Sequence, residues 1–184
     1  MTDRTVYTIG HSTRSIDAFL ALLRAHGVDT LVDIRTVPRS RRHPQFEQRR
    51  LAQSLAGAGI EYRHAASLGG LRRPAEHSVN TAWRNDSFRG FADYMQTQEF
   101  GDAVDALAEL AAERKLAIMC AEAVPWRCHR SLVGDALLVR GVDVIDIISE
   151  TSVRKHNLTP FAHVDGTQVT YPAGPPNVVP RSDE

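Results

Sequence analysis

Two short β-branched runs bracket one amphipathic stretch near the start of this chain, and together they restrict its fold more than any other feature. The runs are VYTI at Val6–Ile9 and LVDI at Leu31–Ile34. Between them Ile16, Phe19, Leu20 and Leu23 recur on one helical face, Ser12 or Thr13 is placed to cap that helix, and Gly27 to stop it. A strand, a helix and a strand within about thirty residues make a βαβ unit. A crossover of this kind joins parallel strands, because a tight hairpin can only join antiparallel ones.

The alternation continues. A helix is predicted over Phe46–Ala58, with Leu51 and Leu55 inward, followed by a strand at Ile60–Arg63. Arg72–Asn85 is polar and irregular and reads as a long surface loop, the kind that is often functional in a compact domain. Helices are expected at Phe88–Gln96 and Phe100–Arg114. A buried strand (Leu116–Met119), a helix from Cys128 to Arg140 and a last strand (Val142–Ile148) complete the series. The expected fold class is α/β: a single three-layer domain over residues 1–150, with a mainly parallel sheet flanked by helices. Residues 151–184 form an extension. Asp165-Gly166 signals a hairpin within His163–Tyr171, and Pro172–Glu184, with four prolines, is expected to be a flexible tail.

Charge excludes some partners. The 22 basic and 22 acidic residues of this 184-residue chain cancel, so no global field draws it to nucleic acid or membrane. All the basic residues except Lys115 and Lys155 are arginine, whose planar fork suits carboxylates and phosphates. No run approaches the ~18 apolar residues of a membrane span, and the N-terminus lacks the apolar core of a signal peptide. Two cysteines do not make a disulfide framework, so reduced thiols and a cytoplasmic location are expected.

Parallel strands put all their C-terminal ends on one edge, where α/β proteins meet ligands. Here those ends are followed by His11-Ser12, by Asp33-Arg35 and the loop RTVPRSRRHP, by Ser67-Gly69-Gly70, and by CAEAVPWRCHR at Cys120–Arg130. In the loop and the helix after it, Arg35, Arg39, Arg41, Arg42, Arg49 and Arg50 face one acid, Glu47, and Pro38 and Pro44 forbid regular helix. Glu122, His11 and Asp33 are the candidates for proton transfer. Asp33 lies inside an apolar strand and needs a partner, Arg35 or Arg130. Cys128 is the candidate reactive thiol, because a helix start lowers a thiol pKa. Cys120 reads more simply as a small buried hydrophobe, and His129 as a solvent-facing residue. Ser12, Arg35, Arg39, Arg41 and Arg130 are the candidate anion ligands, Arg130 because a cation in a first helical turn calls for an anion or carboxylate. As metal ligands Cys120, Cys128 and His129 are weak candidates, since their spacing matches no common zinc module. Cys120 to Arg127 is Cys-x₆-Arg, one residue too long for a phosphatase-type loop.

The combination of TIGHS at Thr8–Ser12, VDIRTVPRSRRHPQF at Val32–Phe46, LGG at Leu68–Gly70 and CAEAVPWRCHR resembles the family catalogued as domain of unknown function 488. The resemblance runs from about Tyr7 to Ile148. It implies a single small α/β domain of bacterial type whose motif residues form its site: Gly10, His11, Ser12, Asp33, Arg35, Pro38, Arg39, Cys120, Glu122, Cys128, His129 and Arg130. It implies no substrate and leaves the cofactor unknown.

Three functions are consistent with these residues. The first is an enzyme acting on a phosphate-bearing ligand, a nucleotide or nucleic acid. The second is a nucleic-acid-binding module without catalysis, in which the Arg loop grips phosphate while Trp83 and Trp126 stack on bases. The third is a thiol or metal protein using Cys120, Cys128 and His129. No membrane partner is expected, and the sequence leaves the oligomeric state open.

Overall fold

A computed structural model describes residues 4–174. Its centre is a six-stranded sheet in the order β3-β2-β4-β1-β5-β6, formed by β1 (Thr5–Gly10), β2 (Thr30–Asp33), β3 (Glu61–His64), β4 (Leu116–Cys120), β5 (Asp143–Ile147) and β6 (Val153–Lys155). The first five are mutually parallel and β6 is antiparallel to β5, so the sheet continues past residue 150. The helices are α1 (Ile16–Ala25), α2 (Gln48–Gly57), α3 (Asp86–Tyr94), α4 (Gln98–Glu113) and α5 (Arg130–Leu138). β7 (His163–Asp165) and β8 (Gln168–Thr170) form a hairpin that turns at Gly166 with φ 61°. From residue 175 on, the expected flexible tail lies outside the described residues.

The central strands are apolar on both sides, as buried parallel strands must be. Their alternation sorts the core into two layers. Val6, Val32, Leu116, Ile118 and Val144 pack with α3, α4 and α5. Ile9, Leu31, Ala117, Met119 and Ile147 pack with α1 and α2 on the opposite face. The molecule is therefore a three-layer α/β domain with the helices in two sets.

That sorting creates the crevice. The helices following β1 and β2 cross one face of the sheet, while α5, following β4, crosses the other. β4 lies between β1 and β2. The chain thus parts in opposite directions on both sides of the end of β4, and such points are where open α/β sheets leave room for a ligand.

Element boundaries differ from expectation where side chains intervene. The cap of α1 is Ser15, whose Oγ accepts the Ala18 N–H at 3.1 Å, and neither Ser12 nor Thr13 caps it. Residues 11–14 make a turn of their own first, closed by Arg14 N–H donating to His11 O, with Ser12 at φ 47°. α5 starts at Arg130 because Pro125–Arg127 forms a 3₁₀ turn and Cys128 is extended. β6 carries no apolar alternation, which is why its strand is not evident from sequence.

The C-terminal segment is fastened to α5 by a buried carboxylate. Asp135 is fully buried and accepts from His156 Nε2 at 2.9 Å, from Thr159 N–H at 3.1 Å and from Tyr171 Oη at 2.8 Å. Tyr171 also packs edge-on against Trp83 and Phe161.

Candidate active site at the end of the central strand

The register brings the motif loops together. Gly10 pairs with Cys120 and Asp33 with Met119. Past the strand ends, His11 N–H donates to Cys120 O, Ser12 N–H to Ala121 O and Ile34 N–H to Met119 O, each at 3.0 Å. Gly10 makes this seam possible: a Cβ there would overlap the Glu122 carbonyl.

Two adjoining cavities open on this seam, one on each side of the β4 end. The first, about 430 Å³, has Cys120, Cys128 and His129 on one side and Val37, Leu71 and Phe88 on another. The second, about 500 Å³, is bordered by His11, Ser12, Arg41, Arg42 and His43. Arg39, Glu122 and Arg127 line both. Both volumes fall in the range of small-molecule sites.

Arg39, Arg41, Arg42 and Arg127 are exposed, and none has a carboxylate partner among the described residues. Glu122 is exposed beside them and likewise has no ion-pair partner among the described residues. Ser12 holds its positive φ at the mouth of the second cavity, the kind of backbone strain that collects at functional sites.

His11 is 3% exposed, its ring stacked on Phe46 at 4.3 Å. Nδ1 lies 2.9 Å from Ser12 O, so it bears the proton and Nε2 presents a lone pair. Burial lowers its pKa from 6.5 to about 4; the Ser12 contact works the other way and is outweighed. The ring is a neutral acceptor at ordinary pH.

Other candidates take supporting positions. Asp33 is wholly buried and accepts four hydrogen bonds: Arg35 N–H, Arg35 Nε and Nη2, and Tyr62 Oη. Its partner is Arg35, and it borders neither cavity. Arg35 lines the first cavity from behind, with Nη1 buried and unpartnered. Arg130 is 1% exposed. It holds backbone, Nη2 donating to Glu122 O at 3.2 Å and Ala123 O at 3.4 Å, so it ties the 121–124 loop to α5.

His129 does not face solvent. Its ring is half-buried edge-on against Phe91, and Nε2 donates to Ile34 O at 3.1 Å. Nδ1 then faces Cys128 Sγ at 3.4 Å as an acceptor. Burial brings its pKa down to about 4. The two cysteines are free, with Cys128 Sγ 2.7 Å from Cys120 Sγ. Burial opposes ionisation of Cys120, but the hydrogen bond from Cys128 and the Arg130 charge outweigh it and lower its pKa. Cys128 is pushed well up, first by donating to Cys120 and then by burial, although the Arg130 N–H at the start of α5 does reach its sulfur. Among the described residues no group of three or more His, Cys, Asp or Glu side chains is arranged to hold a metal.

Arg127 and the apolar wall of Val37, Leu71 and Phe88 border the first cavity without being among the residues the sequence singles out. Arg127 had a signal, as a cation inside the most reactive motif. The wall had none, since it assembles from three distant segments.

The family model for the domain of unknown function DUF488 matches residues 15–137. The chain belongs to the DUF488 family. The match takes in the β2 and β4 loops of this DUF488 domain and begins just after TIGHS, which supplies His11 and Ser12. No curated protein and no solved structure matches the chain. No helix among the described residues is long and apolar enough to cross a membrane.

Proposed function

We propose that this DUF488 domain is an enzyme acting on a phosphate-bearing small molecule of the nucleotide class. The observation that carries the reading is the row of guanidinium groups, Arg39, Arg41, Arg42 and Arg127, without ion-pair partners among the described residues, around two joined cavities. Exposed arginines without carboxylate partners keep their forks free for phosphate oxygens. The apolar wall of Val37, Leu71 and Phe88 suits a ring, and the Arg-rich cavity beside it suits a phosphate. The buried Nη1 of Arg35 is an unpartnered donor behind the site. Glu122 and the bare Nε2 of His11 are the groups placed to move a proton.

A nucleic-acid-binding module has less support. Trp83 is stacked inside an aromatic cluster with Phe88, Phe161 and Tyr171, which leaves Trp126, 58% exposed with the Arg154 guanidinium over its ring at 4.9 Å, as the one tryptophan at the surface.

The test is a thermal-shift series with phosphate, mononucleotides and short oligonucleotides, on the wild type and on Arg39→Glu with Arg41→Glu. A ligand a hundredfold above its Kd adds about 2.7 kcal/mol to the native state. That moves Tm by several degrees in a domain of this size. Stabilisation by mononucleotide in the wild type, weakened by salt and lost in the double variant, is the expected result. Equal shifts in both proteins would remove the Arg loop from the site, and no shift with any ligand would end the reading.

A further inference from the structure

The sulfur pair in the first cavity has a chemistry that anion binding does not use. The two sulfurs, 2.7 Å apart, stand farther apart than the ~2.05 Å of a disulfide bond, yet they touch with nothing between them. Each is held by its own element. Cys120 ends β4, and Cys128 sits in the turn before α5, its N–H donating to Pro125 O and its carbonyl accepting from Ser131 N–H. The ring beside Cys128 is fixed as well. His129 is tied through Nε2 to Ile34 O, and Gly70 packs so closely on the ring that a Cβ would lie 2.5 Å from Nδ1. Both cysteines line the cavity, so a small neutral oxidant can approach the pair although each residue is largely buried.

We propose that Cys120 and Cys128 form a dithiol that hydrogen peroxide closes to a disulfide, with His129 Nδ1 orienting the Cys128 thiol. The Cys120 thiolate attacks the nearer peroxide oxygen. An S–O bond forms, the O–O bond breaks, and the leaving hydroxide takes a proton from solvent to become water. Cys120 is then a sulfenic acid, oxidised by two electrons, and the peroxide is reduced by two. Cys128, its thiol oriented by His129 Nδ1, attacks the Cys120 sulfur. The S–S bond forms, the S–O bond breaks, and the departing hydroxide takes the Cys128 proton and leaves as a second water. Only a short further approach of the sulfurs is needed. This chemistry is independent of the anion-binding reading, and its test uses no phosphate ligand.

The chain has only these two cysteines, so every thiol count reads this pair. Trypsin cuts after Lys115, Arg127 and Arg130, which separates Leu116–Arg127 from Cys128–Arg130 unless a disulfide joins them. Wild-type protein treated with a few equivalents of hydrogen peroxide should lose both thiols together. It should run as a single chain on a non-reducing gel, yield the two peptides covalently linked, and regain both thiols with dithiothreitol. In Cys128→Ser the oxidation should stop at a Cys120 sulfenic acid that dimedone traps, and in Cys120→Ser the peroxide reaction should slow at least tenfold. Wild-type thiols that survive the peroxide, a link between two chains, or irreversible oxidation of one cysteine without a bridge would each overturn the proposal. The wild-type measurements stand alone should either variant fail to fold.

Discussion

His11 and His129 each commit one ring nitrogen to a backbone carbonyl and are each held neutral by burial, with pKa values of about 4. Unfolded, the same residues would titrate near 6.5. Between those values the unfolded chain binds more protons than the native one, so stability rises with pH across the window. The contribution of each is complete above about 6.5 and is lost as pH falls toward about 4, at no more than about 1.4 kcal/mol per unit. Urea midpoints measured from pH 7 to pH 4.5 should therefore fall in the wild type. In His11→Asn and in His129→Asn they should fall less steeply. Parallel slopes in wild type and variants would mean that neither ring is buried neutral. Asp33 shows a different use of burial: with four hydrogen bonds satisfied, it holds Arg35 in place and has no lone pair left for a ligand.

At the scale of elements, the seam between the β1 and β4 loops depends on an absent side chain. A Cβ on Gly10 would meet the Glu122 carbonyl, the same oxygen that Arg130 Nη2 holds at 3.2 Å. The obstacle is backbone, so the 121–124 loop would have to move. Gly10→Ala should cost about 1–3 kcal/mol, as overpacking does, and should weaken any nucleotide-induced thermal shift. Gly101, inside α4, has nothing near where its Cβ would lie. Gly101→Ala should raise stability by about 0.4–1 kcal/mol. Opposite signs in urea denaturation check both statements. Much of this arrangement was legible beforehand, because period-2 and period-3.6 patterns mark strands and helices and parallel strands force their ends to one edge. The strand order was not legible, nor was the division of helices that opens a crevice on each side of β4, since both depend on which faces pack together in space. The site was legible as a set of loops but not as a set of roles. Sequence spacing gave no sign that Arg130 holds carbonyls, that His129 is tied to Ile34, or that the two sulfurs meet at 2.7 Å.

For the whole molecule, the tie between the C-terminal segment and α5 runs through one buried carboxylate. Asp135 accepts from three partners, two of them beyond residue 158. Tyr171→Phe keeps the ring packed against Trp83 and Phe161 and removes only the hydroxyl. The buried Oδ2 of Asp135 then loses its donor, at a cost of about 1–3 kcal/mol, read as a lower urea midpoint with an unchanged slope. An unaltered midpoint would show that solvent reaches Asp135. The borders of the sheet carry a further consequence. β3 shows Glu61, Arg63 and His64 to solvent, and β6 shows Arg154 and Lys155 on a strand of three residues. Short borders studded with charge are poor templates for another strand, since each new ladder bond would bring a desolvated cation or anion with it. Crowded solutions of this domain are thus guarded against strand-by-strand fibre growth at both ends of the sheet.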